Sequence, residues 1–396
     1  MPPKFEHSIA AVDAPTPGSG RGRRRLPVVA LAIVAVGLAA CSSSPATSSS
    51  TTTTTTAAKS VSLSSLENWP TSSVSVQETG SSLLYPLFNL WTAQIQKQWP
   101  AVSITTGSTG SGTGISDAAA GTVNIGASDA YLSPAEVQQS PGLENIPLAI
   151  SAQEIDYNVP GVSGHLKLSG PVLADVYQGQ ITNWNSAKIA ALNPQVKLPN
   201  LPIVTVHRSD GSGDTFLFTS FLSASDPRGW TISPDTAISW PNVAGAVAAQ
   251  GNGGMVQACQ KSPGCIAYVG ISYQSQATTA GLGYAELVNQ KGKAVLPTQS
   301  AIATEAAGYA ASTPKSGTVS MIFGPAAGGY PIVNYEYAIV PTSQPSTLDA
   351  QAVKAVLAWA VDPSGGNAPS FLDQVGFVAL PASVRQISAA LISAVH

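Results

Sequence analysis

The stretch His207-Arg-Ser-Asp-Gly-Ser-Gly-Asp-Thr215 constrains the fold of this chain more than any other part of the sequence. It follows Ile203–Val206, an apolar and β-branched run that predicts a buried strand, and it precedes Phe216–Phe221, whose apolar spacing predicts a helix. The first turn of a helix has unpaired backbone N–H groups and the positive end of the helix dipole, and both attract anions. A glycine-rich turn between a strand and a helix therefore predicts an anion-binding loop.

The side chains of this loop suit a tetrahedral oxyanion. Arg208 offers a planar fork of donors, and Ser212 and Thr215 add hydroxyl groups. Gly211 and Gly213 allow the backbone to approach a ligand closely. Taken alone, the stretch is also typical of a serine-capped helix that binds nothing. Related loops elsewhere in the chain favour the anion site.

Two earlier stretches have the same order of strand, small-residue turn and predicted helix. Val74–Gln77, where the folded body begins, leads into Gly80-Ser-Ser82, and Val102–Thr105 leads into Gly107–Gly114. The second loop lacks the lysine of a Walker A motif and the register and downstream acid of a dinucleotide fingerprint. A further strand, Val123–Asp129, ends in a carboxylate. Since open α/β sheets bind ligands at the carboxyl ends of their strands, these loops predict a common site.

The N-terminal segment predicts export and a lipid anchor. Arg21–Arg25 is basic, and the apolar run Leu26–Ala40 that follows is shorter than a typical transmembrane helix. Residues 1–40 are therefore predicted to be a signal peptide. The run ends at Leu38-Ala-Ala-Cys41, which resembles a bacterial lipobox and implies cleavage before Cys41 and lipid attachment to its sulfur. An ordinary signal peptide with an incidental cysteine is the alternative. Residues 41–73, rich in Ser and Thr, predict a flexible tether to a body outside the cytoplasmic membrane.

Charge and cysteine content exclude some classes of function. The net charge is −3, and residues 1–40 hold five basic and two acidic residues, so the remainder carries −6. Nucleic acid is therefore not an expected partner, and an anion must be held by local donors. Cys259 and Cys265 flank the turn Lys261–Gly264 with no histidine nearby, which predicts a local disulfide in an oxidising compartment and no metal site.

Together these loops resemble the substrate-binding lipoprotein of the Pst phosphate ABC transporter. The likeness runs from about Val74 to the C-terminus. It is closest to the mycobacterial and actinobacterial versions, which are also similar over two further stretches. The motifs that carry the resemblance are Gly80-Ser-Ser-Leu-Leu-Tyr-Pro86, Gly110-Ser-Gly-Thr-Gly114, Gly126-Ala-Ser-Asp-Ala130 and Arg208-Ser-Asp-Gly-Ser-Gly213, with the two actinobacterial stretches at Tyr177-Gln-Gly-Gln-Ile-Thr-Asn-Trp184 and Tyr330-Pro-Ile-Val-Asn-Tyr-Glu-Tyr337.

The resemblance implies a periplasmic-binding-protein fold of type II, in which two α/β lobes enclose a ligand cleft and the chain crosses the hinge twice. Lobe one is expected at residues 74–158 plus 330–396, and lobe two at 160–328. It further implies a monomer without cofactor or enzymatic activity, anchored at the outer face of the cytoplasmic membrane through Cys41. Its implied partners are inorganic phosphate and the permease subunits of the Pst importer.

Matching the family's motifs residue by residue implies a set of phosphate contacts and one acid, Asp210, that orients Arg208. Asp214 departs from the family, because many members have threonine there. It either accepts a second phosphate proton or caps the helix and points away. The implied phosphate contacts are Ser82, Leu83, Ser111, Asp129, Arg208, Ser212, Gly213 and Asp214.

Three other functions remain open from the sequence. A secreted phosphatase or hydrolase would use the same pocket with His165 or His207 as its base, although no Gly-x-Ser-x-Gly elbow is present. A surface adhesin would fit the tether but would leave the anion loops unexplained. A binder of sulfate or molybdate is disfavoured by Asp129, because a carboxylate accepts hydrogen bonds and so demands a proton from the ligand.

Overall fold

The computed structural model of this protein describes residues 61–396. The signal peptide, Cys41 and most of the tether lie outside the described residues. Within them the structure is mixed α/β, as the sequence predicts. None of the helices in residues 61–396 combines the length and apolar character needed to cross a bilayer.

Twelve strands are present in the described part of the chain. Their bounds are β1 Val74–Gly80, β2 Val102–Thr105, β3 Ile125–Ser128, β4 Leu143–Tyr157, β5 Lys167–Leu168, β6 Val204–Arg208, β7 Val247–Ala249, β8 Cys265–Gly270, β9 Gly283–Tyr284, β10 Glu286–Val288, β11 Ala294–Val295 and β12 Val333–Pro341.

Thirteen α-helices and two short 3₁₀ helices, Ile271–Tyr273 and Asp373–Val375, accompany these strands in residues 61–396. The α-helices are α1 Leu63–Leu66, α2 Tyr85–Gln98, α3 Ser111–Ala120, α4 Pro134–Gln139, α5 Gly170–Tyr177, α6 Ala187–Leu192, α7 Gly213–Ser225, α8 Gly251–Lys261, α9 Gln274–Thr279, α10 Gln299–Ala307, α11 Thr347–Val361, α12 Pro369–Leu372 and α13 Ala382–Ser393.

The main sheet joins two parallel groups of strands through two antiparallel strands. Its order is β2-β1-β3-β12-β4-β8-β6-β7, and β9 also pairs with β4. The groups β2-β1-β3 and β8-β6-β7 are parallel, whereas β12 and β4 run antiparallel to their neighbours. A small second sheet has the order β11-β10-β5. Each parallel group thus presents its own set of strand ends, and the loops at those ends carry the predicted anion motifs.

Strand β4 is the longest strand of the sheet, and the sequence analysis missed it. Its residues 143–152 pair with β12 and its residues 153–157 pair with β8, so one strand serves both groups. A strand buried on both faces usually reads as a continuous apolar run, but this one is interrupted by Pro147 and by the buried polar residues Ser151, Gln153 and Glu154. The register shifts between Glu336, opposite Ala149, and Tyr337, opposite Pro147, so the irregularity lies beside the proline, which has no N–H for the ladder.

Most of the predicted strands and helices are present, and several extend beyond the residues that the sequence predicted. The strand predicted at 203–206 is β6 and ends at Arg208, and the helix predicted from Phe216 already begins at Gly213. The glycine-rich loop predicted over 107–114 is shorter, because α3 begins inside it at Ser111. Both changes bring helix N-termini closer to the strand ends. The predicted lobe boundaries, 74–158 plus 330–396 and 160–328, stay a prediction.

Candidate functional site

The predicted anion loops converge because their strands are neighbours in the sheet. Ser81 and Ser82 follow β1, and Asp129 follows β3, which pairs with β1. Gly80 permits this close approach: its φ is 140°, and a Cβ there would lie 2.1 Å from the carbonyl oxygen of Ala127. The side chains of Ser81, Ser82 and Asp129 are therefore buried together at one sheet edge.

Arg208, the last residue of β6, is clamped between two carboxylates. Its Nε donates to Asp210 Oδ1 at 2.7 Å and its Nη2 donates to Asp210 Oδ2, while its Nη1 donates to Asp214 Oδ2 at 2.8 Å. Asp214 therefore does not cap α7 and point away: Ser212 is the cap, and Asp214, in the first turn, is a second partner of the arginine. A guanidinium has five N–H donors, and three are engaged here, which leaves two for a ligand.

Asp129 forms the opposite side of the site. The Ser81 hydroxyl donates to Asp129 Oδ1, and the Ser111 hydroxyl lies 3.3 Å from Oδ2. Gly213, the first residue of α7, lies against the same carboxylate, since a Cβ on Gly213 would be 2.4 Å from Asp129 Oδ2. Asp129 thus faces the N-terminus of α7, where backbone N–H groups have no partner within the helix.

Asn252 connects the two sides and was not predicted. Its Nδ2 donates to Ser82 Oγ at 2.9 Å and to Asp214 Oδ2 at 2.7 Å, and its Oδ1 accepts from Gly270 N at 2.8 Å. It lies in α8 directly after β7, in the run Gly251-Asn-Gly-Gly254. This is a further strand, small-residue turn and helix, so the same sequence signal would have found it.

The loops also touch through their backbones. Gly112 N donates to Gly211 O at 3.0 Å, and a Cβ on Gly112 would lie 3.1 Å from the Cα of Gly211. These two glycines belong to the loops assigned to different lobes by the sequence analysis. The structure therefore brings the loops of Ser111 and of Arg208 into direct contact.

The other predicted site residues are buried beside this cluster. Leu83 is fully buried, and its carbonyl oxygen accepts from the Ser272 hydroxyl at 2.7 Å. Ser212 caps α7, with Thr215 N donating to its Oγ at 3.4 Å. The amide of Ser212 already donates to Thr236 O, so its hydroxyl is the group left for a ligand.

Comparison with known proteins identifies the family. A family model described as a PBP superfamily domain matches residues 42–364. The phosphate-binding protein PstS of Xylella fastidiosa (strain Temecula1) is 32% identical over 323 residues, which cover 81% of this chain and 85% of that protein. This chain belongs to the PstS family. The PstS 2 protein of Mycobacterium tuberculosis is 30% identical and covers 75% of this chain and 80% of its own length, so these identities do not favour the mycobacterial members.

Solved structures agree on the fold of this PstS family member. The phosphate-binding protein from Stenotrophomonas maltophilia has a TM-score of 0.64 at 21% identity, and the match covers 80% of this chain and 93% of that protein. With the family model, this confirms the predicted periplasmic-binding-protein fold.

The pKa values on the arginine side of the site follow from its ion pairs. Burial opposes the charge on Arg208, but the hydrogen bonds and charge of Asp210 and the charge of Asp214 hold its pKa above the ordinary value. Burial would raise the pKa of Asp210, yet the guanidinium outweighs it and the pKa is lowered. For Asp214, burial prevails over the attraction of Arg208 and over its hydrogen bonds, so its pKa is raised.

The pKa of Asp129 is raised, whereas that of Asp210 is lowered. Burial, followed by repulsion from Asp214, raises the pKa of Asp129 from 3.8 to about 7, against the hydrogen bond from Ser81 and the more distant Arg208. A carboxyl with such a pKa exchanges its proton near neutral pH, where phosphate does the same.

The two candidate bases, His165 and His207, are placed in aromatic contacts instead. The ring of His207 stacks on Trp240 with centroids 5.1 Å apart, and its Nδ1 is 3.1 Å from Arg208 O. The ring of His165 lies 4.3 Å from that of Tyr284. Neither histidine hydrogen-bonds to Asp129 or to a site serine in the described residues.

Cysteines and metal-ligating residues complete the description of the predicted sites. Cys259 and Cys265 form a disulfide with Cα atoms 5.2 Å apart, as predicted. Residues 61–396 contain no group of three or more His, Cys, Asp or Glu side chains arranged to hold a metal ion.

Proposed function

We propose that this protein captures inorganic phosphate in a cleft between two lobes and delivers it to the permease subunits of a Pst-type ABC importer. Membership of the PstS family and the names of its relatives support this. One observation carries the proposal: an acceptor, Asp129, faces the N-terminus of α7 across a site that also contains Arg208. Such a site binds most favourably an anion that also carries a proton, because the anion can accept from the helix N–H groups and donate to Asp129.

The proposed contacts divide into donors and acceptors. The donors are the two unused N–H groups of Arg208, backbone N–H groups and three serine hydroxyls, while Asp210 holds the guanidinium in place. Each charge-assisted hydrogen bond contributes about 1.5–3 kcal/mol, so we expect a dissociation constant of about 1 µM or below. The proposed phosphate-binding residues are Ser82, Leu83, Ser111, Asp129, Arg208, Ser212, Gly213 and Asp214.

Selectivity arises from the excess of carboxylates. Arg208 is the only cation among three aspartates, the buried Asp129 and Asp214 and the partly buried Asp210, in the part of this site that the structure describes. An unprotonated anion would add further repulsion, whereas phosphate donates a proton to Asp129 and, we propose, a second to Asp214. Sulfate has no proton to give near neutral pH, and the resulting like-charge contact costs several kcal/mol, on the order of 10²–10³-fold in affinity.

Closure of the cleft follows from the division of donors between the proposed lobes. Ser82, Ser111 and Asp129 belong to one, and Arg208 and Gly213 to the other. Only a closed cleft satisfies all of them, so ligand shifts the hinge equilibrium toward closure. The permease would then recognise the closed form.

We also propose that a lipid on Cys41 anchors the protein, as a monomer, at the outer face of the cytoplasmic membrane. The tether would end before α1 rather than at residue 73, because α1 is a helix and Trp69 stacks on Trp99 with ring centroids 3.7 Å apart. The motifs that begin at Tyr177 and Tyr330 support a finer placement near the actinobacterial members. A Cys41→Ser variant should leave the membrane fraction and fail to incorporate labelled palmitate. Retention of both properties would contradict the anchor.

The proposed function is tested by a panel of anions. In titration calorimetry and thermal shift at pH 7, phosphate should bind with a dissociation constant of about 1 µM or below and raise the melting temperature by mass action, while sulfate and molybdate should not. Equal binding of sulfate would reject the proposal. The same preparation should not hydrolyse a chromogenic phosphate ester, and turnover at a rate abolished by Arg208→Ala would instead support the hydrolase.

A further inference from the structure

A second buried carboxyl lies directly behind the acceptor of the site. Strand β12 pairs antiparallel with β3, with Tyr337 opposite Ser128, so the next residues, Glu336 and Asp129, are neighbours across the strands. Their side chains lie within hydrogen-bonding reach, and Glu336 is fully buried. Glu336 was not among the predicted site residues.

The hydrogen bonds of Glu336 leave one oxygen for Asp129. Glu336 Oε1 accepts from the Ser151 hydroxyl and from Asn334 Nδ2, the latter at 2.9 Å. Among the described residues, no donor reaches Oε2, which is buried. A buried carboxylate oxygen without a donor is costly, but a proton on Oε2 would turn the same atom into a donor, and Asp129 is the acceptor within reach of this side chain.

The surrounding charges require that the pair hold a proton. Two adjacent carboxylates without a cation between them do not both ionise. The charge of Asp214 repels a negative charge on Asp129, and the charge of Arg208 attracts it. Tyr337 lies beside Glu336. Burial first, and then repulsion from Asp129, raises the pKa of Glu336 well above its ordinary range.

We propose that Glu336 is a positioning residue for anion discrimination: its protonated carboxyl donates from Oε2 to Asp129 and keeps Asp129 an ionised acceptor toward the cleft. Asp129 then receives hydrogen bonds from Ser81 and Glu336, and its remaining lone pairs accept the ligand proton, while the Ser111 hydroxyl turns to the ligand. Without this donor, the desolvated Asp129 would take the proton itself. It would become a donor that tolerates an unprotonated oxyanion. The inference rests on the proposed function and explains how its selectivity is maintained.

Two substitutions separate this role from a structural one. In Glu336→Gln the amide still donates to Asp129 and still accepts from Ser151 and Asn334. In Glu336→Met the donor is gone. Calorimetry with phosphate and sulfate at pH 6 and pH 8 should give Glu336→Gln the wild-type affinity ratio within about threefold. Glu336→Met should lose at least tenfold of the phosphate-over-sulfate ratio at pH 8, where wild-type Asp129 is ionised, and less at pH 6, where wild-type Asp129 already holds a proton.

A matched control is Glu154→Gln, which changes another buried glutamate of raised pKa on β4, the strand next to β12. It should leave the affinity ratio unchanged. The inference is overturned if Glu336→Met keeps the wild-type ratio at both pH values, or if Glu336→Gln loses it as Glu336→Met does. Failure of the wild-type protein to prefer phosphate would instead reject the proposed function.

A measurement on the wild-type protein covers the case in which Glu336→Met does not fold. With ¹³C-labelled glutamate, a carboxyl resonance assigned to Glu336 by its loss in Glu336→Gln should report a protonated acid at pH 7, both without ligand and with saturating phosphate. An ionised Glu336 in the phosphate-saturated protein would overturn the inference.

Discussion

Asp210 and Asp129 are acids of one site, the first partly buried and the second buried, and their environments shift their pKa values in opposite directions. Asp210 shares a bidentate ion pair with Arg208, and its pKa is lowered. Asp129 has hydroxyl donors and a second carboxyl as neighbours, and its pKa rises to about 7. The first is a fixed charge that orients a donor, and the second is an acceptor that is sensitive to protons.

The comparison shows how one cleft can be both attractive to anions and selective among them. In the proposed function, the Arg208 side supplies attraction that does not depend on pH near neutrality. The Asp129 side supplies an acceptor that only a proton-bearing anion satisfies. Loss of either side should therefore produce a different defect: weak binding of every anion, or binding of the wrong one.

Removal of Arg208 should have the largest effect. Arg208→Ala deletes the two free N–H donors and leaves Asp210 and Asp214 without a counter-charge, so phosphate affinity should fall by about 10³-fold or more, measured by calorimetry. Because a broken buried ion pair also destabilises the fold by about 3–5 kcal/mol, Arg208→Lys serves as a milder variant. Arg228→Ala, at an exposed position, is the matched control. Wild-type affinity in both Arg208 variants would exclude the guanidinium from the site.

Neutralisation of Asp129 should reveal the cost of its burial. In the unfolded chain the carboxyl ionises near pH 3.8, but in the folded protein without ligand it ionises only near 7. The folded state therefore binds the extra proton between these values, and wild-type stability falls as pH rises through them. Relative to wild type, Asp129→Asn should gain about 3 kcal/mol of unfolding free energy between pH 5 and pH 8. Urea denaturation without phosphate measures this.

Asp235→Asn, at an exposed position, should show no such gain. If the stability difference for Asp129→Asn is the same at both pH values, Asp129 is ionised throughout and the contrast with Asp210 disappears. The same variant should also bind sulfate more tightly, because an amide can donate as well as accept.

The sequence predicted the loops of the site better than their connections. Short strands followed by Gly and Ser are local signals, so the loops of Ser82, Ser111, Asp129 and Arg208 were found from spacing alone. The partners of Asp214 were not, because Asn252 and Gln153 lie 38 and 61 residues away from it along the chain. Only the sheet order brings these elements together.

Strand β4 and Glu336 were missed for a related reason. Polar residues inside β4 are buried because both faces of the strand are covered, and no local pattern reveals that its N-terminal part pairs with β12 and its C-terminal part with β8. Glu336 lies in the motif that begins at Tyr330, but its role depends on its register against β3. Register is set by the whole sheet rather than by the residues of one strand.

Gly213 is the point at which the two sides of the site meet. A Cβ at this position would lie 2.4 Å from Asp129 Oδ2 and 2.7 Å from its Cγ, closer than real contacts allow. Gly213→Ala should therefore keep the Arg208 and Asp129 loops apart and reduce phosphate affinity by about 10²-fold. Gly254→Ala is the matched control, because its Cβ would meet Ala249 at an ordinary 3.8 Å. Small-angle scattering with saturating phosphate should show a larger radius for Gly213→Ala than for the control, and equal radii would contradict this.

Asp214 belongs to both sides of the comparison, and its substitution should have the smallest effect. It accepts from Arg208 like Asp210, yet burial raises its pKa as it does for Asp129. In Asp214→Asn the repulsion of a doubly charged phosphate is removed while hydrogen bonds to Asn252 and Gln153 remain possible. Phosphate affinity at pH 8 relative to pH 6 should therefore rise about tenfold over the wild-type ratio. An unchanged ratio in calorimetry would mean that Asp214 serves only to hold Arg208, and that Asp129 alone distinguishes the ligand's charge state.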